Sequence, residues 1–207
     1  MIDTLSILLS LAVAPWSSMS MPEADAPACD VTAMQSLMED ASGWKDVGPG
    51  AVEDPELEAY FENSLPGYRL AYLHRDSLGV LLIDGRELPA AAQDETRKLA
   101  PDRRWSQVAD AARAACAKSA DACEVSMLSS LPMGVSADSV LSDDAAGETL
   151  QRVTVAFDGP GRCAYSVQFT SPIEAFTATA WRKLRDELIS LRKIVVSSHD
   201  SRTDGGF

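Results

Sequence analysis

The sequence predicts an α+β domain in which helices pack on an antiparallel β-sheet. Two segments in its second half alternate apolar and polar residues around an Asp-Gly-Pro-Gly turn, which is the pattern of a β-hairpin. The segment that follows has the period of a long amphipathic helix. The chain has 207 residues, of which 46% are hydrophobic and 24% are charged. This composition is typical of a globular chain with one hydrophobic core.

Two helices are expected ahead of the first strands. Residues 30–43 place apolar side chains on one helical face, with Asp30 as the N-terminal cap and Gly43 at the end. A shorter helix is expected after Asp54, which can cap it, with Pro55 at its first position.

The hydrophobic period then changes from helical to two. Tyr68–Leu73 and Val80–Ile83 are predicted strands separated by a turn at Asp76–Gly79. Asp84–Gly85 is a typical tight hairpin turn. Residues 90–120 are Ala-rich and are predicted to be helical, with an interruption at Pro101.

The second half contains the clearest strands. Alternation resumes at Cys123–Met127, and a polar, acidic loop is predicted for residues 132–148. Val153–Phe157 and Cys163–Phe169 then form an antiparallel hairpin with one buried face.

A long helix closes the predicted domain. Ser171-Pro172-Ile173-Glu174 is a capping box with proline at the first helical position, and apolar residues at helical spacing continue to about Val196. Residues 197–207 are polar and are expected to form a flexible tail. The single α+β domain is therefore expected to span residues 21–196.

The N-terminus indicates export. Leu5–Ala14 is an apolar run too short to span a bilayer, and small residues at 18–20 follow it, so residues 1–20 are predicted to be a signal peptide. With an excess of Arg over Lys, this indicates a bacterial periplasmic or secreted protein. The alternatives are a buried first helix of a cytosolic protein and a lipoprotein anchored at Cys29.

Four cysteines follow the predicted cleavage site. An even number in an exported chain favours disulfides, and the spacing favours Cys116–Cys123, which leaves Cys29–Cys163. Zinc binding is the first alternative, but no C-x2-C pair is present. A nucleophilic thiol is the second.

The charge of the chain limits the classes of partner. It has 18 Lys and Arg against 31 Asp and Glu, a formal net charge of −13. Such a chain repels phosphate backbones and anionic headgroups, so nucleic-acid binding and stable membrane insertion after processing are not expected. A basic protein or a cation is the expected partner.

Motifs for catalysis are incomplete. His74-Arg75-Asp76 copies the kinase catalytic triplet without the Asn, glycine-rich loop or lysine that kinases need. A hydrolase would have to take its base from His74 or His199. We therefore expect no catalytic residues, no cofactor and no metal site, with weak calcium binding by the acidic loop as an alternative.

One stretch resembles a known family. Tyr165–Phe176, YSVQFTSPIEAF, reads as an amphipathic strand, a Ser-Pro break and the start of a long closing helix. This order of elements resembles the C-terminal part of the Mog1/PsbP-like α/β-sandwich proteins over about residues 150–196. The resemblance implies the fold and a small binding or assembly factor, and it carries over no catalytic residue. The two N-terminal helices and the four cysteines are not expected of that family.

These observations favour a non-enzymatic exported binding protein. The leading hypothesis is an inhibitor or immunity protein that neutralises a toxic enzyme directed at the bacterial envelope, because such enzymes tend to be basic. The alternatives are an envelope assembly factor and a small exported hydrolase that uses His74. The candidate partner contacts are acidic residues of the predicted turns and loop: Asp76, Asp84, Asp138, Asp143, Asp144 and Glu148.

Overall fold

The structure is a computed structural model. It describes residues 29–41, 43–48, 70–87, 122–131, 134–143, 147–159 and 162–203, with single helical residues at Arg103, Ser106, Asp110, Arg113 and Ala114. The predicted signal peptide, the predicted helix after Asp54 and Cys116 lie outside the described residues. The helical residues between 103 and 114 agree with the helix predicted there.

The described elements are two helices, seven strands and one short 3-10 turn. The helices are α1 (Thr32–Asp40) and α2 (Ala178–Thr203), and the 3-10 turn is Ile173–Ala175. The strands are β1 (Trp44–Asp46), β2 (Leu70–His74), β3 (Val80–Glu87), β4 (Ala122–Leu131), β5 (Gly134–Asp143), β6 (Glu148–Asp158) and β7 (Cys163–Pro172).

All seven strands join one antiparallel sheet in the order β1-β2-β3-β7-β6-β5-β4. Strands β1 to β3 form one meander and strands β4 to β7 form another. The two meanders meet where Val80 of β3 pairs with Thr170 of β7. The predicted α+β class and the antiparallel sheet are therefore confirmed.

The helices cover one face of the sheet. Met34 and Met38 of α1 and Trp181, Leu188 and Leu191 of α2 pack against the apolar side chains of that face. The sheet contributes Leu70, Tyr72, Leu81, Ile83, Val153, Val155, Phe157, Tyr165, Val167 and Phe169. Burial of these side chains is the main source of stability in the described part of the chain.

The opposite face of the central strands is also buried, which corrects the prediction of one buried face. Thr154, Gln168 and Thr170 alternate with the core residues yet are buried. Arg152 is only 2% exposed, and its Nε donates to Thr170 Oγ1 at 3.2 Å. Polar residues in an alternating pattern therefore do not mark a solvent face in this sheet.

Two further strand boundaries differ from the prediction. Strand β3 continues through Asp84–Gly85 without a turn, because its pairing with β7 extends to Glu87. Most of the predicted acidic loop at 132–148 is strand, since β5 spans Gly134–Asp143 and pairs along its length with β6. In both places pairing with a neighbouring strand outweighs the local turn propensity.

The boundaries of α2 differ as well. The predicted capping box at Ser171–Glu174 is wrong, because Ser171 and Pro172 end β7 and a 3-10 turn follows. The helix begins at Ala178, and Thr177 Oγ1 accepts the N–H of Ala180 at 3.3 Å as its cap. The helix also continues beyond Val196 to Thr203, through part of the predicted tail.

A disulfide ties the start of α1 to the sheet. Cys29 and Cys163 are bonded with their Cα atoms 5.9 Å apart, the long-range pair expected from the sequence. The backbone N–H of Cys29 also donates to Gly85 O at 3.0 Å. A lipid anchor at Cys29 is contradicted, because the sulfur that would carry it is in the disulfide. Cys123 is disulfide-bonded too.

Candidate protein-docking surface

The exposed end of the β2–β3 hairpin is the candidate functional site. Its turn carries exposed Arg75, Asp76 and Leu78. Because Val80 pairs with Thr170, the residues that precede β3 lie at the same end of the sheet as the residues that follow β7. Those residues include exposed Ile173 and Glu174. We call these five side chains the turn surface.

Leu78 has an unusual backbone conformation. Its φ is 54°, and among the described residues it is the only non-glycine residue with a positive φ. A leucine in this left-handed region is strained by about 1–2 kcal/mol. Leu78 is nevertheless 48% exposed, so about half of this strained leucine lies in solvent.

Hydrogen bonds hold the turn in this conformation. The N–H of Ser77 and its hydroxyl both contact Nδ1 of His74, at 3.3 Å and 3.0 Å. Ser77 Oγ accepts the N–H of Gly79 at 3.2 Å, and the N–H of His74 donates to Gly79 O at 2.8 Å. An imidazole nitrogen that accepts these bonds carries no proton, which places the proton of neutral His74 on Nε2. The N–H groups of Ser77 and Gly79 and the Ser77 hydroxyl are therefore used within the turn, whereas the side chains of Arg75 and Asp76 remain exposed.

An aromatic cluster on the helix-covered face of the sheet supports the turn. It consists of Trp44, His74, Phe169, Phe176 and Trp181, with ring centroids between 4.9 and 6.5 Å apart. Most of these pairs are edge-to-face or tilted, the arrangements that aromatic quadrupoles favour. The cluster is part of the helix-covered core, so the turn has a rigid base.

Gly79 allows the turn to lie directly on this cluster. A Cβ atom at this position would collide with the ring of Phe169 and lie 3.0 Å from the Cβ of Ser171. Only glycine fits between Leu78 and the aromatic rings without displacing them.

Asp76 is the predicted contact residue that lies on the turn surface. It is exposed and sits in the turn at the position expected from the sequence. Asp143 ends β5, Glu148 begins β6 and Asp144 lies between them, and the side chains of all three are outside the described residues.

The prediction that Asp84 contacts a partner is wrong. It is 5% exposed within β3, and its Oδ2 is 2.6 Å from Nε of Arg86. Because these two residues are separated by two positions on one strand, their side chains share a face of the sheet. The carboxylate is therefore used in an ion pair inside the protein.

The prediction that Asp138 contacts a partner is wrong for a similar reason, because this residue too is buried beside an arginine. It is 8% exposed and faces α2, where Arg185 Nη1 lies 3.5 Å from its Oδ2 and the Trp181 side chain donates a hydrogen bond to it. Burial raises the pKa of Asp138, and the Arg185 guanidinium opposes this rise. Asp138 holds α2 on the sheet.

The His74–Ser77 contact is the arrangement closest to a catalytic pair. Ser77 is buried, however, and its Oγ already accepts the N–H of Gly79. Within the described part of the chain, no carboxylate hydrogen-bonds His74. The pair therefore has an evident role as the cap of the turn.

The sequence missed the main features of this site. Leu78 lies in a predicted turn, but nothing in the residue itself signals its left-handed conformation, and the sequence predicts that Ile173 is helical.

Among the residues that the structure describes, no group of three His, Cys, Asp or Glu side chains could hold a metal ion. No described helix is long and apolar enough to cross a membrane.

Comparison with known proteins shows likeness at the level of structure. No family model and no curated relative matches the sequence. The Ran-binding protein Mog1p of Saccharomyces cerevisiae is similar over 75% of this chain and 84% of its own, with 9% identity and a TM-score of 0.39. LpqN of Mycobacterium tuberculosis, involved in cell envelope biogenesis, is similar over 84% of this chain and 79% of its own, with 9% identity and a TM-score of 0.38.

Cyanobacterial PsbP (CyanoP) from Synechocystis is also similar to this chain. It matches over 72% of this chain and 79% of its own, with 12% identity and a TM-score of 0.37. The resemblance to Mog1/PsbP-like proteins is confirmed. At these scores the likeness carries no functional conclusion.

Proposed function

We propose that this chain is a non-enzymatic, exported bacterial protein that binds a basic enzyme acting on the cell envelope and neutralises it by covering its active site. We base this on the turn surface, which combines an exposed, strained leucine with exposed carboxylates on a rigid support. Strained backbone conformations cluster at binding sites, where the surrounding structure maintains them.

The disulfide supports export. Disulfides such as Cys29–Cys163 persist in oxidising compartments and are rare in the cytosol, where thiols are kept reduced. A periplasmic or secreted location fits this bond and the predicted signal peptide.

The charge supports a basic partner. With a net charge of −13, the chain attracts a cationic protein over distances longer than direct contact, which speeds and orients association. On the turn surface, Asp76 and Glu174 give two carboxylates against the single guanidinium of Arg75.

The test combines capture with inhibition. The tagged mature chain is used to isolate partners from the envelope fraction of its host, and each partner is purified and assayed with and without the chain. We expect one basic hydrolase that is inhibited at a 1:1 ratio, with weaker inhibition at about 1 M salt, where screening shortens the Debye length to about 3 Å. Resident assembly proteins without inhibited activity would instead support an envelope assembly factor.

A small exported hydrolase is the second candidate, because Ser77 Oγ lies 3.0 Å from Nδ1 of His74. A fluorophosphonate probe, which reacts with activated serines, tests it directly. Labelling of the wild-type chain that is lost in Ser77→Ala would establish the hydrolase and contradict the binding proposal.

A further inference from the structure

We infer that Leu78 is the anchor of the turn surface and that the partner receives it in an apolar pocket bordered by Lys or Arg side chains. This inference rests on the proposed function and names the contact through which it acts. It concerns a protein partner, as distinct from a membrane or a second copy of this chain.

The conformation of Leu78 argues that its side chain is used. A glycine or asparagine would adopt a φ of 54° more easily than leucine does, so the backbone conformation gives no reason for leucine here. The residue is 48% exposed and extends from a turn whose hydrogen bonds do not involve its side chain. The exposed half of the leucine is available for a contact outside the chain.

The rigidity of the turn suits an anchor residue. His74 and Ser77 fix the backbone on one side of Leu78, and Gly79 seats it against Phe169 on the other. A backbone that is held in place before binding loses little conformational freedom when the side chain that it carries enters a pocket. A few residues buried at the centre of an interface carry most of its binding energy, and we infer that Leu78 is one of them.

The surroundings of Leu78 indicate the chemistry of the pocket. Ile173 is a second apolar side chain at the same end of the sheet, 37% exposed. Asp76 of the turn and Glu174 beside Ile173 are exposed carboxylates at that end. An apolar centre with an acidic rim is complementary to an apolar pocket with a basic rim, and the net charge of −13 favours the same partner.

The experiment separates an effect of Leu78 on binding from an effect on the stability of the fold. Leu78→Gly removes the side chain but relieves the backbone strain, so its melting temperature should stay close to that of the wild type. Leu78→Ala removes most of the side chain and keeps the strain. Leu37→Ala is the matched control, because Leu37 is a 41% exposed leucine on α1.

The probes are three purified basic enzymes of the envelope-degrading classes, a muramidase, an amidase and a phospholipase, together with any hydrolase captured from the host. Affinities are measured by calorimetry for the wild type and all three variants. We expect the wild type to bind at least one enzyme, Leu78→Gly and Leu78→Ala to weaken that binding by about 30-fold, and Leu37→Ala to leave it unchanged.

The outcomes distinguish the anchor role of Leu78 from the proposed function on which it rests. Equal binding by the wild type and Leu78→Gly would overturn the anchor while leaving the proposed function in place. A marked loss of thermal stability in Leu78→Gly would overturn it too, since the leucine would then have a structural role. A wild-type dimer that Leu78→Gly dissociates would identify a second copy as the occupant. Binding to none of the enzymes would refute the proposed function and the anchor together.

Discussion

Replacing Cys29 and Cys163 with alanine removes the bond that joins the residues before α1 to strand β7. The two cysteines are 134 positions apart, so the disulfide closes a very long loop in the unfolded chain. For a loop of this length the chain-entropy model gives a loss of about 5 kcal/mol in the free energy of unfolding. That is a large part of the roughly 5–15 kcal/mol that holds a typical domain folded.

Urea unfolding followed by tryptophan fluorescence measures this loss, because Trp181 is buried in the core. The single variants Cys29→Ala and Cys163→Ala should each lose as much as the double variant, since either one removes the same bond. A loss below about 1 kcal/mol in the double variant would refute the entropic reasoning. Unequal losses in the two single variants would show that one cysteine has a role apart from the bond.

Three further substitutions test the polar contacts of the structure. Arg185→Met removes the cation 3.5 Å from the buried Asp138 carboxylate, and we expect urea unfolding to show a loss of about 2 kcal/mol at neutral pH. Because the folded-state pKa of Asp138 is raised above its ordinary value of 3.8, and rises further without Arg185, this deficit should shrink as the pH falls towards 3.8, through the raised pKa values of the variant and the wild type. Burial raises the pKa of Tyr72 to about 12, so the folded wild type should lose stability as the pH rises from 10.0 towards 12. Tyr72→Phe, which removes a buried hydroxyl with no partner among the described residues, should escape that loss in thermal melts across this range. His74→Phe keeps an aromatic ring but leaves the N–H of Ser77 without its acceptor, at a cost of about 1 kcal/mol in thermal unfolding.

Each of these predictions has an opposing result. A deficit in Arg185→Met that is constant with pH would mean that the charge of Asp138 is not what Arg185 stabilises. Parallel alkaline melting curves for the wild type and Tyr72→Phe would show that Tyr72 ionises at an ordinary pH in the folded state. Full stability in His74→Phe would show that the Ser77 contact contributes nothing to the turn.

The burial of two predicted contact residues could not be predicted from the sequence. The cluster of polar and acidic residues from 132 to 148 predicts a loop at Asp138, yet this residue lies in β5, opposite Val153 of β6. The Asp-Gly pair predicts a tight turn at Asp84, yet β3 runs through this position beside β7. In each case a carboxylate is buried because an arginine pairs with it, and one of those arginines, Arg185, is far away in the sequence. Local composition does not contain that information.

The α+β class, the β6–β7 hairpin, the closing helix and the long-range cysteine pair could be predicted from the residues alone, because they depend on hydrophobic period, turn chemistry and an even number of thiols. The net charge of −13, and hence the class of partner that we propose, also follows from the sequence. Which acidic residues are exposed and which are buried depends on the tertiary structure. It alone brought the β2–β3 turn to the same end of the sheet as Ile173 and held Leu78 at a φ of 54°. Such a conformation is set by the hydrogen bonds of His74 and Ser77 and by the ring beneath Gly79, and none of these is visible in the local pattern of residues.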